Sequence, residues 1–198
     1  MKPNLSAINL IALCLMILFL GCKKDHAGMS SFNDIQFPDE NALSWDYPVK
    51  PGSEKWKTFQ SGMEMVEACQ IPKNVISSLK TEELLLICLK YPLLFDIGAH
   101  NFFSDGYAAY EKNFNGITEF YRRNDAATVI YSYYKQLNLD DAKVSSSIFF
   151  VFRISVVEYI LSASSVISKY SVTHRKEVAA ELFLKLNLKN LNRVTFRI

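Results

Sequence analysis

Asp96 and His100 are the residues of this chain whose types and spacing come closest to a chemical site, with Asp105 nearby. On a helix, residues four apart share one face, where a carboxylate can orient an imidazole or supply half of a metal site. No third metal ligand follows at a suitable spacing, so we predict neither a metal nor a cofactor. The simpler interpretation is a hydrogen-bonded surface pair, with Asp105 capping a loop.

Cys88 is a further candidate, as a nucleophile that His100 would activate. Two residues of common types do not define an acyl-transfer site without an orienting group and an oxyanion hole. The chain also has no phosphate-binding glycine loop and no HExxH, CxxC or GxSxG motif. We therefore expect a non-catalytic protein. The alternative is a small hydrolase or metal-dependent enzyme centred on Asp96 and His100.

The elements that would position these groups are predicted to be helices, and strand patterns are scarce. Ser61 and Glu64 have the spacing of a capping box at the start of the first helix. The predicted helices cover residues 63–70, 72–79, 81–90, 93–103, 107–114, 117–123, 125–137, 140–168 and 173–188. Asn115-Gly116 is predicted to separate two of them. The expected fold class is all-α, as a single compact multi-helix bundle or a short helical-hairpin array.

Residues 148–161 are apolar enough to resemble a membrane span, but the segment contains Arg153 and Glu158. A charge at the centre of a span costs roughly 2.5 to 3.5 kcal/mol even on a lenient insertion scale. We therefore predict a core helix, in which both charged residues need partners.

Several aromatic residues at helical spacing could stack on sugar rings, although packing in the core is the favoured interpretation. These residues are Phe102, Phe103, Tyr107, Tyr110, Tyr131, Tyr133 and Tyr134.

The amino terminus carries a different kind of signal. Lys2 precedes an apolar run, residues 8–20, that is shorter than the ~20 residues needed to span a bilayer. The run ends at Phe19-Leu20-Gly21-Cys22, which resembles the lipobox of bacterial lipoproteins. The resemblance implies cleavage after Gly21 and acyl lipids on Cys22, and Lys23 after the cysteine implies an outer-membrane lipoprotein. The alternative is an ordinary signal peptide. The periplasmic and cell-surface faces both remain open.

Composition divides the rest of the chain. We predict a signal peptide at 1–21, a flexible tether at 22–53, a helical domain at 54–188 and a tail at 189–198. Trp45, Tyr47 and Pro48 could dock back on the domain.

The chain has 22 basic and 20 acidic residues, a near-neutral balance that argues against a nucleic-acid partner. Cys69 and Cys88 could form a disulfide, but two separate buried thiols are favoured.

Three segments, WDYPVKPGS (45–53), EACQIP (67–72) and YPLLFD (91–96), resemble an uncharacterised family of Bacteroidota lipoproteins, and the likeness spans about residues 1–185. Some longer members continue into a segment with a cysteine-histidine pair suggestive of a papain-like peptidase or amidase. This chain has no such pair after residue 188 and would be a truncated relative or a helical accessory part. The leading expectation is a membrane-tethered, non-catalytic module that binds an envelope protein, peptide or glycan.

Overall fold

The computed structural model describes residues 35–139 and 148–191. All regular elements in these residues are helices, which confirms the predicted all-α class. They are α1 (Glu54–Lys57), α2 (Gly62–Ala68), α3 (Lys73–Ser78), α4 (Thr81–Leu89), a 3-10 helix (Leu94–Ala99), α5 (Phe103–Asn113), α6 (Asn115–Arg122), α7 (Ala126–Gln136), α8 (Ile148–Ser162), α9 (Ser164–Ile167) and α10 (Val172–Leu191). The predicted signal peptide and Cys22 lie outside the described residues, and the predicted division into segments stays a prediction.

The described residues fall into two compact units, the first ending at Val129 and the second beginning at Ile130. Helix α2 of the first unit begins with the cap that the sequence predicts. The Ser61 hydroxyl accepts a hydrogen bond from the Glu64 backbone N–H at 3.3 Å. The Glu64 carboxylate in turn accepts one from the backbone N–H of Gln60 at 3.0 Å. Two N–H groups at this helix end are thereby satisfied.

Helix α4 forms the centre of the first unit. Its residues Leu84, Leu85, Leu86, Ile87, Cys88 and Leu89 are all buried. The helix ends before Tyr91-Pro92, so its last carbonyl groups need partners outside the helix. The hydroxyl of Tyr110 donates a hydrogen bond to the Cys88 carbonyl oxygen at 3.1 Å. Burial raises the pKa of Tyr110 well above its usual value, so the hydroxyl stays a donor.

Residues 35–53 belong to the first unit and pack against its helices through a few side chains. Tyr47 is buried, and its hydroxyl donates a hydrogen bond to the Ile87 carbonyl oxygen at 3.0 Å. Trp45 is half-buried and meets the Tyr47 ring edge-on, with ring centroids 4.7 Å apart. Pro48 is exposed. The docking that the sequence left open is therefore present at Trp45 and Tyr47.

The second unit contains the apolar helix that the sequence placed in a core. Helix α8 buries Val151, Phe152, Ile154, Val156, Val157, Ile160 and Leu161. The predicted helix 140–168 is wrong in extent, because α8 ends at Ser162 and the extended backbone of Ala163 separates it from α9. Among the described residues, no helix is both long and apolar enough to cross a membrane.

Candidate functional site

The 3-10 helix positions Asp96, and a glycine of α5 decides where this helix lies. Gly106 packs so closely on the helix that a Cβ atom there would lie 2.0 Å from the Ile97 carbonyl oxygen. Only a residue without a side chain allows this approach. The glycine thus brings α5 against the backbone that carries Asp96.

The spacing of Asp96 and His100 predicted that they share one helix face, but the structure shows that they do not. A 3-10 helix has about three residues per turn, so residues four apart are rotated by about a third of a turn. His100 also follows the helix in extended backbone, at ψ 156°. Both side chains are exposed. Partial burial raises the pKa of Asp96, and the nearby His100 acts in the opposite direction.

A metal site at this pair would need further ligands beside Asp96 and His100. Among residues 35–139 and 148–191, no group of three or more histidine, cysteine, aspartate and glutamate side chains could hold a metal ion. Asp105 is exposed in the first turn of α5. The pair is therefore a weakly interacting surface feature in the described part of the chain.

Cys88 lies in the core rather than at a surface. It has no exposed area, and burial raises the pKa of its thiol well above the usual range, with a smaller opposing effect from Tyr110. A thiol of this kind stays protonated and is a poor nucleophile. Cys69 is also fully buried, and burial raises its pKa to about 11. Both cysteines are free thiols, so the favoured interpretation of two separate buried thiols is confirmed.

Two exposed aromatic residues lie close in sequence to Asp96 and His100. Phe95 is 41% exposed and Phe102 is 61% exposed. The other aromatic residues that could stack on sugars mostly pack in the interior: Tyr107, Tyr110, Tyr131 and Tyr134 are buried, and Phe103 and Tyr133 are half-buried. Phe95, Asp96, His100 and Phe102 are exposed residues within positions 95–102, and we call this set of residues the aromatic-acid surface. Sequence reasoning missed Phe95, because a regular helix over 93–103 gave no reason to single it out.

The second unit contains a buried polar network that sequence reasoning found only in part. The Glu158 carboxylate accepts hydrogen bonds from the Tyr134 hydroxyl at 2.9 Å and from Lys189 Nζ at 2.5 Å. Arg153 donates one to the Tyr133 hydroxyl at 3.0 Å. The partners required by the two charged residues of α8 are therefore present.

Lys185 was not predicted to take part in any such network. Its ammonium group donates hydrogen bonds to the carbonyl oxygens of Tyr134, Lys135 and Leu137, which follow the end of α7 or lie in its last turn. It also lies 3.6 Å from a Glu181 oxygen. The only sequence signal was its position seven residues after Val178, on the apolar face of α10. The lysine therefore acts as a cap for α7, because last-turn carbonyls have no partner within their own helix.

Lys185 is expected to make the stability of the protein depend on pH. Burial lowers its pKa from 10.5, with Glu181 and Glu158 acting in the opposite direction. Below pH 10.5 the unfolded chain therefore binds more protons than the folded chain, and this lysine's contribution to stability increases as pH rises towards 10.5. We expect the unfolding free energy of wild type to rise relative to that of Lys185→Met between pH 7 and pH 10. Urea unfolding at several pH values measures it.

The control for this experiment is Lys176→Met, on the exposed face of the same helix. Its stability difference from wild type should change much less over the same pH range. A pH dependence for Lys185→Met no larger than that of the control would contradict the assignment.

No protein-family model matches the chain, and no curated protein or solved structure is significantly similar to it.

Proposed function

We propose that this chain is a lipid-anchored envelope protein whose helical part is a non-catalytic module that binds an envelope protein, peptide or glycan. The Gly21-Cys22 junction supports the anchor, and the resemblance to Bacteroidota lipoproteins is part of the same proposal. The anchor would attach the chain to the outer membrane, on its periplasmic or cell-surface face.

The aromatic-acid surface is the observation that carries the binding function. It combines two exposed phenylalanine rings with a carboxylate and an imidazole in a short stretch of chain. Exposed aromatic rings lose little entropy on binding and can stack on sugars or apolar side chains. Hydrogen-bonding groups beside them add selectivity. A surface of this composition suits recognition better than turnover, because the one candidate nucleophile, Cys88, is fully buried.

Substitution of Phe102 tests the binding function. Full-length wild type, Phe102→Ala and Met63→Ala would be crosslinked in intact envelopes, and the crosslinked species would be quantified. We expect Phe102→Ala to recover at least fivefold less of any species that wild type recovers, because the stacking ring is lost. Met63→Ala is the matched control, since Met63 is 62% exposed and lies in the same unit. Equal recovery by wild type and Phe102→Ala would contradict the proposed surface.

The alternative function, a small hydrolase or metal-dependent enzyme, uses Asp96 and His100 of the same surface. The raised pKa of Asp96 is the observation in its favour. Hydrolytic activity of the purified protein that His100→Ala abolishes, without a change in crosslinking, would replace the binding proposal with this one.

A further inference from the structure

One face of α10 is exposed along most of the helix and changes from polar to apolar at its middle. The first half of this face carries Thr173 and Glu177, both exposed. The second half carries Phe183, Leu184 and Leu188, which are 59%, 54% and 39% exposed. At about 3.6 residues per turn, these residues lie on the same side of the helix. We call Phe183, Leu184 and Leu188 the apolar stripe.

From the start of the apolar stripe onward, the charged residues of the sequence are all basic, whereas Glu177 and Glu181 precede the stripe. Residues 183–198 contain Lys185, Lys189, Arg193 and Arg197 and no acidic residue. Lys189 pairs with Glu158, and Lys185 caps α7. Arg193 and Arg197 lie outside the described residues and add two positive charges in sequence after the stripe. Exposed apolar residues followed by positive charge are typical of helices that lie at the surface of anionic bilayers.

The stripe is too small to hold a protein partner by itself. A stable protein interface buries about 800 Å² on each partner, which three side chains cannot supply. It also offers few polar groups for the hydroxyls of a glycan. A lipid surface requires no such area if another part of the chain already holds the protein there. Residues 22–35 can span at most about 45 Å even when fully extended, so a lipid on Cys22 would keep residue 35 within that distance of the bilayer.

We propose that the apolar stripe contacts the surface of an anionic lipid bilayer, with the second half of α10 partly inserted among the headgroups. The inference rests on the proposed lipid anchor and adds to it a second membrane contact. The polar residues on the first half of the same face stay in water.

Cysteine accessibility tests the contact. The full-length chain would be reconstituted into vesicles of phosphatidylethanolamine and phosphatidylglycerol, as Leu184→Cys or as the control Thr173→Cys. Both positions are exposed on the same helix, and the native Cys69 and Cys88 are buried. We expect a water-soluble maleimide to label Leu184→Cys at least tenfold more slowly than Thr173→Cys. Adding Phe183→Ser and Leu188→Ser should remove most of the difference.

Flotation of the vesicles separates the anchor from the stripe. Floating protein with equal labelling at both positions would overturn the stripe contact and leave the anchor intact. Failure to float would overturn both. If Cys22→Ser also floats and Leu184→Cys remains protected, the stripe contact holds independently of the lipid anchor, which the acyl mass of wild type then tests. Protection that disappears when the protein is diluted in the vesicles would assign the stripe to a second copy of the chain and overturn the lipid contact.

Discussion

Cys22→Ser is expected to release nearly all of the protein from the membrane fraction. Each buried methylene adds about 0.8 kcal/mol to membrane affinity, so two or more acyl chains hold a protein almost irreversibly. Serine cannot take the thioether-linked lipid, and the described helices include no membrane span that could replace it. Cell fractionation measures the released protein, and mass spectrometry of the isolated protein measures the loss of acyl mass.

Cys14→Ser is the matched control for this experiment. Cys14 lies inside the apolar run that the proposal removes with the signal peptide, so its substitution should change neither fractionation nor acyl mass. Unchanged membrane retention and unchanged mass for Cys22→Ser would refute lipidation. Partial retention with loss of the acyl mass would match a second contact of the kind proposed for the apolar stripe.

Gly106→Ala is expected to lower the free energy of unfolding by about 3 kcal/mol, which is the upper part of the usual range for overpacking. The new methyl group would lie 2.0 Å from the Ile97 carbonyl oxygen and 2.7 Å from two other Ile97 backbone atoms. Backbone cannot rotate away as a side chain does, so α5 or the 3-10 helix must move. The better helix propensity of alanine, about 1 kcal/mol, offsets only part of this cost. Urea unfolding followed by circular dichroism measures the change.

Gly62→Ala controls for the effect of alanine itself. A Cβ atom at Gly62 would meet nothing within 4 Å, and its backbone does not require glycine. We expect its stability to be unchanged or to rise by up to about 1 kcal/mol, because alanine restricts the unfolded chain. If Gly106→Ala were as stable as Gly62→Ala, the close packing of α5 on the 3-10 helix would be wrong.

The movement of α5 or the 3-10 helix that Gly106→Ala is expected to cause should also affect binding. The 3-10 helix contains Phe95 and Asp96, and α5 begins directly after Phe102. A shift between these two helices would change the positions of Phe95 and Asp96 relative to Phe102. If the proposed binding surface is correct, Gly106→Ala should weaken crosslinking in envelopes even at temperatures where the protein stays folded.

Several local features could be predicted because neighbouring residues determine them. The Ser61 and Glu64 cap involves atoms within four residues of each other. The charges within 148–161 correctly indicated a core helix rather than a span. The break predicted at Asn115-Gly116 is present but lies one residue earlier, at Phe114, because Asn115 is the first residue of α6. The Asn115 side chain accepts a hydrogen bond from the Ile71 N–H at 3.0 Å and donates one to the Ile71 carbonyl at 2.8 Å.

The amino-acid sequence by itself determined the all-α class, the approximate position of most described helices and the absence of a span at 148–161. These properties follow from hydrophobic periodicity, capping residues and the cost of buried charge, all of which act over a few residues. Only the tertiary structure decided that Tyr47 would bond to Ile87 and that Lys185 would cap α7, through hydrogen bonds between residues 40 and 51 positions apart. It also decided that Asp96 and His100 do not share an α-helix face, because residues 94–99 form a 3-10 helix and His100 continues in extended backbone.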